Sequence, residues 1–209
     1  MKIIYTLYLV VLASPLFGQN GYVKFENDSI KVGYLRNIIL PGSNDRAIEL
    51  WETKKDKSPL KLKKKNLTEY AINRDTFKIL NYFRPFHDDN IDFEMVEAKV
   101  IARGKLELLI IDNYANTVSS YTGGGLIPGL IDVSMGNVTF IYVLADVSNY
   151  FPQGIPARKL KFENALMDFF SIKFLNEYQR QNGKIKYKDL PDLVRAYNTL
   201  HSATSPRLK

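Results

Sequence analysis

The chain has 209 residues, a formal net charge of +7 and no cysteine. The missing cysteine excludes disulfides, cysteine-ligated zinc, iron–sulfur clusters and thiol nucleophiles. With 45% hydrophobic and 24% charged residues, the composition is that of a globular protein large enough to bury a core without covalent staples.

The chain opens with Lys2, an apolar run from Ile3 to Ala13, a break at Ser14-Pro15, and the small residue Gly18 ahead of Gln19. That order of a basic start, a short apolar stretch and a small residue predicts a signal peptide over residues 1–18. The run is too short to span a bilayer, which takes about 20 apolar residues. Further on, the stretch Gly125 to Val147 is broken by Pro128, Asp132 and Asp146, so no transmembrane span is expected in the exported remainder. The expected address is the periplasm, the outer-membrane periphery or the medium.

From residue 19 to about 150 the chain favours strands. Gly21 to Phe25 alternates, Asn27-Asp28-Ser29 supplies a turn, and Ile30 to Leu35 resumes the alternation, which predicts a hairpin over residues 21–39. Ala47 to Thr53 and Leu60 to Ile72 read as a second pair, joined by the polar turn Lys54 to Pro59. Phe77 to Phe83 and Phe93 to Ile111 follow, the latter divided by Arg103-Gly104-Lys105. Strands at this spacing predict a small antiparallel barrel or sandwich.

The period then changes. Leu160, Phe162, Ala165, Leu166, Phe169 and Phe170 are expected on one face of a helix. Ser171 is placed to cap a second helix burying Ile172, Leu175 and Tyr178, which Asn182-Gly183 ends. Asp189 is placed to cap a third, running to Leu200, with Pro191 in its first turn. The segment 151–201 is therefore helical, residues 202–209 form a polar tail, and the class is α+β.

Three segments carry a resemblance. Gly21-Tyr22-Val23, Asn27-Asp28-Ser29-Ile30-Lys31 and Gly33-Tyr34-Leu35 resemble the opening hairpin of a group of exported, mostly uncharacterised Bacteroidota proteins. Phe93-Glu94 through Gly104-Lys105-Leu106-Glu107-Leu108 is similar to that group's central strand pair. Lys161-Phe162, Phe169-Phe170-Ser171, Leu175, Tyr187-Lys188-Asp189-Leu190, Leu193-Val194 and Tyr197-Asn198 are similar to its C-terminal end. The resemblance implies an exported envelope protein of unassigned activity and carries no catalytic residues. Asp28-Ser29-Ile30 also looks like the short O-glycosylation motif of exported proteins from that phylum.

Catalytic signals are sparse. The two histidines are His87 and His201, and there is no G-x-S-x-G elbow, so a serine triad lacks its parts. Asp88, Asn90 and Asp92 have the alternate spacing that begins a calcium loop. Phe93 and Lys99, however, stand where an EF-hand needs glycine and glutamate, so a looser calcium site is the most these residues offer. Gly124 and Gly129 have the outer spacing of a phosphate loop, but Leu130-Ile131 replaces the lysine and hydroxyl residue that would reach phosphate and magnesium.

Two contact surfaces remain. Gly123, Gly124, Gly125, Leu126, Ile127, Leu130 and Ile131 form a glycine-rich apolar loop suited to a partner. Lys54, Lys55, Lys57, Lys61, Lys63, Lys64 and Lys65, opposed within the run by Asp56 alone, form a stripe that attracts anions. Export argues against nucleic acid and for an acidic envelope protein, an anionic lipid or a glycan.

The function expected is therefore a non-enzymatic binding or scaffolding module with no cofactor beyond that calcium candidate. The alternatives are a hydrolase using carboxylates among Asp88, Asp89, Asp92 and Glu94, and a small-molecule or lipid carrier, should the strands enclose an apolar cavity.

Overall fold

A computed structural model describes residues 19–41, 46–83, 93–112, 140–148 and 151–203. The fold is α+β: ten strands, antiparallel to their neighbours, precede three α-helices among the described residues. The chain divides into two compact units, residues 1–79 and 80–209.

The first unit holds β1 (Gln19–Phe25), β2 (Ile30–Ile39), β3 (Arg46–Trp51), β4 (Leu60–Lys63), β5 (Leu67–Ile72) and β6 (Asp75–Phe83), whose last residues pass into the second unit. Their order is β6-β5-β1-β2-β3-β4. The expected hairpin over residues 21–39 is β1–β2, with Gly21 opposite Gly33. Its turn is closed by Asp28 at φ 60°, a left-handed conformation that aspartate tolerates.

The stretch Leu60 to Ile72, read from sequence as one strand, is two. A single 3-10 turn over Lys64–Asn66 separates β4, which pairs with β3, from β5, which pairs with β1 and β6. Because side chains alternate across a strand, the unit's sheet has two distinct faces. Val23, Leu35, Ile48, Leu50 and Tyr70 are buried on one of them and form a core. The other carries the charged and aromatic residues described below.

The second unit holds β7 (Phe93–Ala102), β8 (Leu106–Asp112), β9 (Phe140–Asp146) and β10 (Gln153–Ile155), followed by α1 (Lys159–Phe169), α2 (Ile172–Asn182) and α3 (Leu190–Ala203). β8 and β9 are buried on both faces. Leu106, Leu108, Tyr142 and Leu144 meet the helices, while Leu109, Ile111, Ile141 and Val143 pack with Leu80, Phe83, Phe93, Val96 and Ala98. Each large side chain so buried contributes about 1.5–3 kcal/mol.

Helix boundaries follow local chemistry. The Ser171 hydroxyl accepts the Phe174 N–H at 3.3 Å to cap α2, and Gly183 at φ 81° ends it. Asp189 acts differently from expectation: it sits in a 3-10 turn, and its carboxylate accepts the Lys186 N–H at 2.9 Å. Two expected core positions are corrected. Leu160 is 72% and Ile172 65% exposed, because the buried stripe of α1 centres on Phe162, Ala165 and Leu166, and that of α2 on Leu175.

Candidate functional site: the lysine-rich face of the first unit

The site forms on β2, β3 and β4, on the sheet face opposite the first unit's core. Cross-strand partners share a face. Tyr34 lies opposite Trp51, Arg36 opposite Glu49, and Glu49 in turn opposite Lys61. Arg36, Glu49 and Lys61 thus form one row across three strands.

Glu49 holds this row together. Its Oε2 accepts from Arg36 Nε at 3.0 Å and from Arg36 Nη2, and its Oε1 lies 3.9 Å from Lys61 Nζ. Glu49 is 6% exposed, so its charge is spent inside the row rather than offered to a ligand. Arg36 is also seated over the Trp51 ring, its guanidinium carbon 5.3 Å from the centroid. Lys54 reaches back from the β3–β4 turn to lie 5.0 Å above the Tyr34 ring. Such cation–aromatic contacts contribute about 0.5–1 kcal/mol at exposed sites and fix where the charge sits.

Asp56, the one acid between Lys54 and Lys65, is used to build the turn. Its two oxygens accept the N–H and the hydroxyl of Thr53, each at 2.8 Å. Those bonds hold its carboxyl below the usual carboxylate range. A second acid of this face, Glu69, is 7% exposed and accepts a hydrogen bond from the Tyr22 hydroxyl. Lys24 pairs with Asp28 at 2.7 Å, and that bond raises the ammonium's pKa.

The lysines of the run are spread over the β3–β4 turn, β4 and the 3-10 turn that follows it. Lys54, Lys55, Lys57, Lys61, Lys63 and Lys65 are exposed. Lys64 is not. It is 4% exposed, turned inward by the 3-10 turn, with its Nζ donating to the Tyr70 hydroxyl at 2.9 Å and lying 4.7 Å from that ring's centroid. It belongs to the core of the first unit, which corrects its expected place in the exposed stripe.

Sequence reading missed Arg36, Glu49, Tyr34 and Trp51 as neighbours of the stripe. Their signal is cross-strand register, which no local window contains. The calcium candidates Asp88, Asn90 and Asp92, with Asp89 and His87, lie outside the described residues, as does the whole Gly123–Ile131 loop. Glu94 is described and exposed. Among the described residues there is no group of three or more His, Asp or Glu placed to hold a metal, and no helix long and apolar enough to cross a membrane. His201, on α3, packs against Tyr197 with the two rings tilted and their centroids 4.3 Å apart.

Comparison of the chain with protein-family models, curated proteins and solved structures finds no match in any of the three.

Proposed function

We propose that the chain is an exported, non-enzymatic binding module of the cell envelope that holds an anionic partner against the lysine-rich face of its first unit. The observation that carries this reading is the asymmetry of charge on that face. Its lysines Lys54, Lys55, Lys57, Lys61 and Lys63 are exposed, with Lys54 set over the Tyr34 ring and the half-buried Arg36 over Trp51, while Glu49 and Glu69 are nearly buried and already engaged. A ligand approaching from solvent therefore meets positive charge. The export half of the reading rests on the apolar run Ile3 to Ala13 and on the resemblance of the hairpin motifs.

The test is capture from solubilised envelope by the tagged chain, at low salt and at about 0.5 M salt, where screening acts within a few ångströms. A partner retained at low salt, released at high salt, and lost when Lys54, Lys55 and Lys57 are changed to Gln supports the reading. A partner held equally by the triple variant contradicts it.

A further inference from the structure

The same face carries more than charge. Every second residue of β2 points to it, and in chain order these are Ile30, Val32, Tyr34 and Arg36, about 7 Å apart. Ile30 is 57% and Val32 72% exposed. Tyr22 stands opposite Val32, Lys24 opposite Ile30, and Trp51 opposite Tyr34. Aliphatic, aromatic and cationic groups therefore follow one another across a single exposed surface, with Lys61 and Lys63 at its far side on β4.

A glycan or other polyanion would match the cations and leave Ile30 and Val32 in water, and a protein would have to set an acidic patch and an apolar patch side by side. A bilayer surface uses all three kinds of group. Aliphatic side chains reach the acyl boundary, Tyr and Trp sit at the level of the headgroups, and Lys and Arg extend toward the phosphates. Each lysine near an anionic leaflet contributes about 1 kcal/mol. Lone exposed aliphatics are ordinary; a pair of them beside aromatics and cations, opposite a well-packed core, marks a contact surface.

We propose that the β2–β3–β4 face docks on the surface of an anionic phospholipid bilayer, lying on it without crossing it. This deepens the reading above by naming its partner, and it rests on that reading.

Trp51 is the only tryptophan in the chain, so its fluorescence reports on this face alone. The chain from Gln19 onward, which lacks the apolar run Ile3 to Ala13, is mixed with phosphatidylcholine vesicles and with vesicles also containing phosphatidylglycerol. The expected result is co-sedimentation with the anionic vesicles only, with a blue shift of Trp51 emission and protection from acrylamide. Val32→Asp, at an exposed position, and the triple Lys54, Lys55, Lys57→Gln variant should each weaken binding by about tenfold or more. Circular dichroism confirms that both variants keep the fold.

Sedimentation without a change in Trp51 emission, or binding untouched by Val32→Asp, overturns the proposal, since charge alone then accounts for adsorption. Binding to immobilised polyglutamate or an acidic polysaccharide at low salt, with no vesicle binding, overturns lipid docking and leaves the anionic-partner reading standing. Binding to neither overturns both.

Discussion

The side-chain amide of Asn198 on α3 exchanges two hydrogen bonds with the backbone of Leu106 at the start of β8. The Leu106 N–H donates to Oδ1 at 2.9 Å, and Nδ2 donates to the Leu106 carbonyl at 2.8 Å. Asn198 is 6% exposed, and Gly104 lies so close that a Cβ there would come within 2.3 Å of the Asn198 Cγ. The amide thus serves as a strand partner for β8 and fastens α3 to the sheet of the second unit. Two short sequence motifs, Gly104-Lys105-Leu106 and Tyr197-Asn198, meet at this point.

Asn198→Ala strands a buried N–H and a buried C=O, each costing about 1–3 kcal/mol. The expected loss is about 2–4 kcal/mol in urea unfolding followed by circular dichroism. Gly104→Ala should be destabilising in the parent and clearly less so in the Asn198→Ala background, because the group it would strike is gone. Additive losses in that double-mutant cycle would contradict the contact.

The glycines of the β1–β2 hairpin are fixed by close backbone approach. A Cβ on Gly21 would fall 1.9 Å from the Ala71 carbonyl oxygen, and one on Gly33 would fall 2.2 Å from that of Trp51. Backbone atoms cannot step aside as a flexible side chain can. Either alanine variant should therefore cost more than the ordinary glycine-to-alanine change, by about 3 kcal/mol or more. Thermal denaturation checks this: a melting temperature within a few degrees of the parent would refute it.

Tyr82 presents the reverse case. It is 84% exposed and holds φ at 53°, a left-handed conformation that costs a non-glycine residue about 1–2 kcal/mol. Tyr82→Gly should relieve part of that strain and raise the urea midpoint, against a glycine entropy cost of about 0.5–1 kcal/mol. A lowered midpoint would mean that the tyrosine ring contributes a contact outweighing its backbone.

Alkaline pH should loosen the second unit. The Tyr187 ring packs against Phe140, Tyr142 and Phe162, and its hydroxyl accepts the Tyr142 N–H at 2.9 Å. Burial pushes its pKa well above the tyrosine value, and burial also raises Tyr142 and Tyr178. These groups bind protons more tightly folded than unfolded. Their stabilisation is complete below the unfolded value of about 10 and is lost as pH rises toward the folded values. Absorbance titration of the 13 tyrosines should show a late fraction ionising together with loss of circular dichroism. Tyr187→Phe should make the stability decline above pH about 10 less steep; an unchanged slope would contradict the assignment.

Much of the fold was legible in local pattern. Alternation located β1 and β2, and Ser171 and Gly183 marked the two ends of α2. The break at Lys64 was missed because a single three-residue 3-10 turn has no periodicity of its own, although the polar stretch Lys63 to Asn66 interrupts the alternation there. β9 escaped because Phe140 to Ala145 is apolar on both faces, so it shows no period of two. The site was half visible. A lysine run is plain in composition, but its bracing by Trp51, Tyr34 and Glu49 depends on register between strands far apart in sequence, and so does the position of Val32 beside them.

The most direct measurement is a lysine footprint. The chain from Gln19 is acetylated briefly, with and without phosphatidylglycerol vesicles, and each site is read by mass spectrometry. Lys64, at 4% exposure, should react slowly in both samples. The expected result is vesicle protection confined to Lys54, Lys55, Lys57, Lys61 and Lys63, with the exposed second-unit lysines Lys159, Lys173 and Lys184 unchanged. Protection centred on those second-unit lysines, or none at the β3–β4 turn, would contradict the assignment of this face as the working surface.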